Sequence, residues 1–173
     1  KVLSLGAQII NDVSAMRADS QMPEVIKEYK AYIIMMYSKE EANHPHATLE
    51  QKSYNSVIDE ILQFFDKRIE VALRSGIKKE QIILDPGMGI FISQNPDYSW
   101  ELLANLDKLT SNYSEFPFMI GTSRKSFLGG EIKLRDPLSQ LTALSAFKKG
   151  ASFFRTHNVE MAKQFFTCWE KIN

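Results

Sequence analysis

Five short runs of consecutive apolar residues, separated by longer segments of helical period, constrain this chain more than any other feature. The runs are QIINDV from Gln8, AYIIMMY from Ala31, QIILD from Gln81, FPFMIGT from Phe116 and ASFFRTH from Ala151. Consecutive rather than alternating apolarity expects strands covered on both faces, the condition of a parallel sheet. The intervening segments read as helices. Between Tyr54 and Arg74, Val57, Ile58, Ile61, Leu62, Phe65, Ile69, Ala72 and Leu73 recur at helical spacing, with Asp59, Glu60, Gln63, Asp66, Lys67 and Glu70 opposite. Pro23 to Lys30 reads as a shorter helix. Asn95-Pro96 opens another as cap and first-turn proline, lined by Leu102, Leu103, Leu106 and Leu109. Asp136-Pro137 repeats that signal in a helix ending at Gly150, and the last helix, after Asn158, offers Met161, Phe165, Phe166, Trp169 and Ile172. The order is β-α repeated five times, which expects an α/β fold with a parallel sheet.

The remaining sequence sets bounds. A chain of 173 residues suits one domain, here residues 1–173. Lys plus Arg and Asp plus Glu both total 21, which argues against a broad nucleic-acid or anionic-membrane surface while leaving room for a local basic pocket. The apolar runs are far shorter than a bilayer span, and no basic start followed by an apolar core reads as a signal peptide. The single cysteine, Cys168, cannot form an internal disulfide, which fits a reducing cytoplasm, and in FFTCW it is expected to be a buried small hydrophobe. The opening KVLSLGA reads as the end of a helix, so the chain is expected to be a piece of something longer. GAQIIND and GASFFRTH both turn through Gly-Ala into a strand that finishes on polar residues. One long segment, SKEEANHPHATLEQKS from Ser38, is polar and aperiodic and reads as a functional or disordered loop. Its His44 and His46 lack a clear third ligand, so no metal-ligating residue is assigned. Trp100 and Trp169 fit helix packing.

Each apolar run ends in residues that a core would reject: Asn11-Asp12, Tyr37, Asp85, Ser123-Arg124-Lys125, and Arg155 with His157. In parallel α/β folds the carboxyl ends of the strands share one face, where ligands bind. Asp85 and Asn11 suit the NH groups of a flat ring, whereas Lys125, Arg155 and His157 suit an anion. Arg155 also has a planar guanidinium able to stack. Gly87 and Gly89 in LDPGMG permit close backbone approach, with a tight turn as the plainer reading, and Asp85 alone could equally serve a turn.

GAQIINDVSA, IILDPGMG, GTSRKSFLG and FFRTHNV, in this order and spacing, resemble successive motifs of the dihydropteroate synthases of the pterin-binding family. The resemblance runs over essentially the whole chain and implies a partial TIM (β/α)8-type barrel of five parallel βα units, strands 4 to 8 of the family barrel. It implies condensation of p-aminobenzoate with hydroxymethyl-dihydropterin diphosphate to dihydropteroate and pyrophosphate, with Mg2+ accompanying the diphosphate. Carried over residue by residue, Asn11, Met35, Asp85, Lys125 and Arg155 would contact the pterin. Arg155 and His157 would take the diphosphate, and Ser126, at the start of the next helix, and Ile90 would lie at p-aminobenzoate. Lys125 and Arg155 would carry the catalytic charge stabilisation, and Arg124 would order its loop. The implied partners are these small molecules, not nucleic acid or membrane, with a homodimer formed through the late helices.

Two departures stand out. Met36 occupies the place of a usual histidine, and GIFIS replaces the usual glycine-and-lysine ending of the aspartate loop, resembling bulkier loops of sulfonamide-insensitive members. The family's first three strands have no counterpart, and five strands cannot close an eight-stranded barrel, so this chain alone is expected to lack synthase activity. The alternatives are a non-catalytic pterin-binding remnant, or a methyltetrahydrofolate-binding methyltransferase domain, which has less need of the SRKS and R-T-H cations.

Overall fold

The computed structural model describes residues 1–40 and 52–172. Five parallel strands form one sheet: β1 (Ile9–Asp12), β2 (Tyr32–Met36), β3 (Ile82–Asp85), β4 (Phe118–Ile120) and β5 (Ala151–Phe154). Helices α1 (Met22–Tyr29), α2 (Val57–Arg74), α3 (Asp97–Ala104), α4 (Leu106–Asn112), α5 (Arg135–Lys148) and α6 (Val159–Ile172) connect and follow them. Each strand pairs with its successor in sequence, β1-β2-β3-β4-β5. A doubly wound sheet would reverse that order at a switch point, whereas strictly sequential pairing is the arrangement of a barrel wall. The fold is therefore α/β, five βα units of a TIM-type barrel, with β1 and β5 as the two edges.

The sheet's two faces separate by alternation. Ile33, Met35, Ile82, Leu84 and Phe118 join the hydrophobic core with Ile61 and Phe65 of α2. The opposite face carries Asn11, Ile34, Met36, Ile83 and Asp85, which the register sets side by side: Asn11 with Ile34, Ile34 with Ile83, Met36 with Asp85. Two-sided cover holds for β2, buried from Ile33 to Met36, and for β3, buried throughout. It fails at the edges, where Ile9 of β1 and Phe153 of β5 are exposed because no further strand or helix lies beyond them among the described residues.

The helices follow their sequence signals with instructive shifts. α2 begins at Val57, three positions later than its periodicity suggests, because the Ser56 hydroxyl caps it by accepting from Asp59 N at 3.2 Å. Tyr54 is thereby released to donate its hydroxyl to the Ile92 carbonyl at 2.6 Å. The segment after Asn95-Pro96 is two helices, broken at Asn105, although Leu102, Leu103, Leu106 and Leu109 are all buried as expected. In α5 the polar residues Ser139, Gln140 and Thr142 are buried while Leu138 and Leu141 are exposed. α6 has no buried residue, so Met161, Phe165, Phe166 and Trp169 are only partly covered and Ile172 is open. Cys168 is correspondingly exposed, against the expectation that it is a core hydrophobe. His44 and His46 lie outside the described residues.

Candidate functional site

Asp85 ends β3 with only 2% of its side chain exposed. Its Oδ1 accepts from Gly87 N at 2.9 Å, closing the turn that DPG announces. Gly87 is required there: its φ is 71°, and an added Cβ would come within 2.5 Å of the Tyr37 carbonyl oxygen. The other carboxylate oxygen, Oδ2, accepts from Arg155 Nη2 at 3.0 Å. The same nitrogen donates to Asn11 Oδ1 at 2.6 Å, across 144 positions of sequence, and contacts Met119 Sδ at 3.0 Å. Side chains from β1, β3, β4 and the end of β5 thus meet at one point. Burial pushes the Asp85 carboxyl up from its ordinary range, while Arg155, the Gly87 N–H and Lys125 pull it back down.

Lys125 stands beside this group. Its Nζ lies 4.5 Å above the centroid of the Phe91 ring. Its aliphatic stem passes Gly89, where an added Cβ would sit 3.4 Å from the lysine Cδ. Burial lowers the ammonium pKa, Asp85 raises it, and Arg155 lowers it further. The cluster accordingly holds two cations over one carboxylate, a donor-rich rim suited to an anion above an acceptor suited to N–H groups.

Arg124, next in sequence to Lys125, does something else. Its Nε and Nη2 bind the two oxygens of Asp136 at 2.7 and 2.8 Å. Asn158 Nδ2 adds a third bond to Asp136 at 3.3 Å. These bonds pull the carboxyl down to about 2, Arg124 being the largest cause. The backbone at Arg124 is left-handed, φ 57°, and Arg135 Nη1 donates to its carbonyl at 3.1 Å. The arginine therefore clamps the β4–α5 loop to α5 and to the loop after β5, which matches the loop-ordering role expected for it. Asp136, read from sequence as a helix opener, lies inside the first turn of α5 as the partner in that clamp.

The expected residues are not all brought together. Asn11, Asp85, Lys125 and Arg155 converge. His157 lies beyond them, its Nδ1 2.9 Å from Ser123 Oγ. Ser126 is exposed and begins a three-residue 3-10 turn, Ser126–Leu128, so the helix N-terminus expected there is absent; the helix proper starts at Arg135. Ile90 is 47% exposed in the turn Gly89–Phe91, with neighbouring Phe91 underlying Lys125. Met35 is a correction. It is fully buried on the helix-covered face of β2, among Ile61 and Phe65, and by strand alternation Met36 shares the face of Asp85. Two polar strand ends also serve structure. Asp12 accepts from Ser14 N, Ser14 Oγ and Met16 N within its own loop. Tyr37 is buried with its hydroxyl 3.1 Å from that of Tyr54, and burial pushes it far above the ordinary tyrosine range. The sequence reading missed Met119, whose only signal is its place one residue after Phe118, and the pairing of Ser123 with His157, for which no local pattern exists.

Sequentially paired parallel strands with polar side chains gathered at their carboxyl ends define an α/β protein of the barrel class. Within that class the family is clear: residues 1–157 match the model of the pterin binding enzymes, and the chain belongs to that family. It is 35% identical over 159 residues to the type-1 dihydropteroate synthase of Escherichia coli, covering 90% of this chain and 56% of that protein. It is 32% identical to the dihydropteroate synthase of Synechocystis sp., covering 95% of this chain and 56% of that one. The chain thus spans a little over half the length of these curated relatives. Among solved structures, the Xanthomonas albilineans dihydropteroate synthase with 4-aminobenzoic acid superposes with TM-score 0.87 at 26% identity, over 98% of this chain and 59% of that one. The Anaplasma phagocytophilum enzyme with bound 6-hydroxymethylpterin-monophosphate gives TM-score 0.87 at 26% identity, over 99% and 66%.

Proposed function

We propose that this chain supplies the pterin- and diphosphate-binding part of a dihydropteroate synthase, which joins p-aminobenzoate to hydroxymethyl-dihydropterin diphosphate and releases pyrophosphate. The observation that carries this reading is the meeting of Asn11 and Asp85 with Arg155 at one rim. Asn11 and Asp85 take the N–H edge of the pterin, Lys125 stands beside the ring, and Arg155 covers it while pairing with the diphosphate, which His157 also contacts. Ser126 and Ile90 lie toward p-aminobenzoate.

No nucleophilic side chain is needed. The aniline nitrogen forms its bond to the pterin methylene as the carbon–oxygen bond breaks, the electron pair leaves with pyrophosphate, and the nitrogen gives up a proton to water. Catalysis then comes from positioning and from cations placed where charge accumulates. Mg2+ fits this scheme as a companion of the substrate diphosphate; among the described residues no group of three His, Cys, Asp or Glu side chains could cage it. Exposed Leu138 and Leu141 on α5 and Ile172 on α6 support a homodimer through the late helices, and the single cysteine supports a cytoplasmic setting. With β1 and β5 left as open edges, the 173-residue chain by itself is expected to bind without turnover, and robust synthase activity from it would overturn that expectation.

Calorimetric titration with 6-hydroxymethylpterin and with inorganic pyrophosphate tests the assignment. Asp85→Ala is expected to weaken the pterin by about tenfold or more and to spare pyrophosphate, since a hydrogen bond to a charged group contributes about 1.5–3 kcal/mol. Arg155→Ala is expected to weaken pyrophosphate by a similar factor. Equal affinities in all three proteins would contradict the site.

A further inference from the structure

Ser123 ends the apolar run of β4 and is buried, yet it makes two hydrogen bonds to a single distant residue. Its Oγ accepts from the backbone N–H of His157 at 3.0 Å and lies 2.9 Å from Nδ1 of the same residue. A serine hydroxyl carries one proton and two lone pairs. With one lone pair taken by the His157 amide, the proton has a single acceptor in reach among the described residues, Nδ1 itself. If Nδ1 were the protonated nitrogen, the hydroxyl proton of a buried serine would have no partner there, at a cost of about 1–3 kcal/mol. The neutral ring is therefore held with its hydrogen on Nε2. The ring is on the exposed side of the contact, and Nε2 makes no hydrogen bond among the described residues.

We infer that Ser123 is a positioning residue: it fixes the tautomer and angle of His157 so that Nε2–H is presented as a donor to an anionic group without the ring having to become imidazolium. The inference rests on the reading above that the anion is a diphosphate at His157. Asp136 from α5 is held by Arg124 and Asn158, and Arg155 is turned toward Asp85, which leaves Ser123 as the residue bonded to the imidazole among the described residues. A tyrosine or lysine in place of the imidazole would lack the second nitrogen on which this orientation depends. Ser123 thus does for His157 what an orienting partner does for a metal-bound or catalytic imidazole, from the neighbouring strand.

Nitrogen-15 NMR of the imidazole at a pH where the ring is neutral reads the tautomer directly, without ligand. The Nε2–H form is expected alone in the unaltered chain, a mixture in Ser123→Ala, and the Nε2–H form again in Ser123→Thr, which keeps the hydroxyl. A signal for Nδ1–H in the unaltered chain would overturn the inference, and because that measurement needs no variant it stands even if Ser123→Ala folds poorly. Pyrophosphate titration supplies the second readout. Ser123→Ala is expected to lose about three- to tenfold in affinity, and Ser123→Thr, which keeps the hydroxyl, to retain it. An equal loss in Ser123→Ala and Ser123→Thr would mean that Ser123 only holds the loop, and would sink the inference. If instead His157→Ala leaves pyrophosphate affinity unchanged while the tautomer remains fixed, the diphosphate assignment fails and the tautomer result survives.

Discussion

β3 and β5, IILD and ASFF, are both four-residue strands of three apolar residues and one polar, and each lies beside an amphipathic helix, yet they meet opposite fates. Every residue of β3 is buried, between β2 and β4 and beneath the core built around Phe65. β5 buries Ala151 alone, and α6 after it buries nothing. Apolar composition is thus a statement about what a segment can cover, whereas burial is a statement about neighbours. The interior of the sheet is covered from both sides, whereas β5 pairs on one side only, with β4, and α6 reaches it through ring contacts, Phe166 against Phe154 at 4.9 Å and against Phe147 at 5.7 Å.

Paired substitutions can break that contrast. The largest difference is expected between Phe65→Ala and Ile172→Ala. The first empties a fully buried site packed against Tyr113 and Phe118 and should cost about 3–5 kcal/mol in urea unfolding; the second, 74% exposed, should stay within about 0.5 kcal/mol. Similar losses would mean that α6 is covered in solution.

A smaller contrast separates two glycines of positive φ. Gly87, at the end of β3, faces backbone at 2.5 Å from an added Cβ, whereas Gly6, before edge strand β1, has nothing within 4 Å. Gly87→Ala should cost roughly 3 kcal/mol or more, strain plus clash, and Gly6→Ala about 1 kcal/mol from strain alone. Equal thermal shifts would show that the loop after β3 is looser than its contacts imply.

The Arg124–Asp136 clamp ties the loop after β4 to α5 and to the loop after β5, and it is read by pH. Because the folded carboxyl lies at about 2, below the unfolded value, its contribution is complete above about pH 4 and is lost as pH falls toward about 2. Asp136→Asn should remove that acid-side slope and lower stability only slightly at neutral pH, because Arg124 is 37% exposed and solvent screens the pair. An unchanged slope would assign acid sensitivity elsewhere. The smallest effect is chemical: Cys168, the chain's single thiol, should react with a disulfide reagent in native buffer within about tenfold of its rate in denaturant, as an exposed thiol does. Strong protection would place a covering surface over α6.

Much of this architecture was legible because it is local. The βα order, the positions of the strands, the stripe of α2 and the closing turn at Asp85-Pro86-Gly87 follow from periodicity and from backbone preferences within a few residues. The chemistry of the strand ends was legible too, since Asn, Asp, Lys, Arg and His interrupting apolar runs have few cheap places to go. What misled was hydrophobicity taken alone, as at Cys168, expected in the core and exposed on α6. In α5 the buried face is Ser139, Gln140 and Thr142, satisfied by bonds such as Thr142 Oγ1 to Thr122 Oγ1 at 2.9 Å, and the leucines face outward. Leaving those hydroxyls dry and unpaired would cost more than wetting two leucines.

By itself the amino-acid sequence determined the class of fold and the kinds of group at its rim, because both are set by repeats and residue types that a reader can count along the chain. The tertiary structure alone decided that Arg155 reaches Asn11 and Asp85, that Arg124 is spent on Asp136 while Lys125 stays beside the carboxylate, and that Met36 rather than Met35 shares the face of Asp85. Those outcomes depend on distances between residues far apart in sequence and on a one-residue alternation of faces, and neither quantity is written in any local stretch.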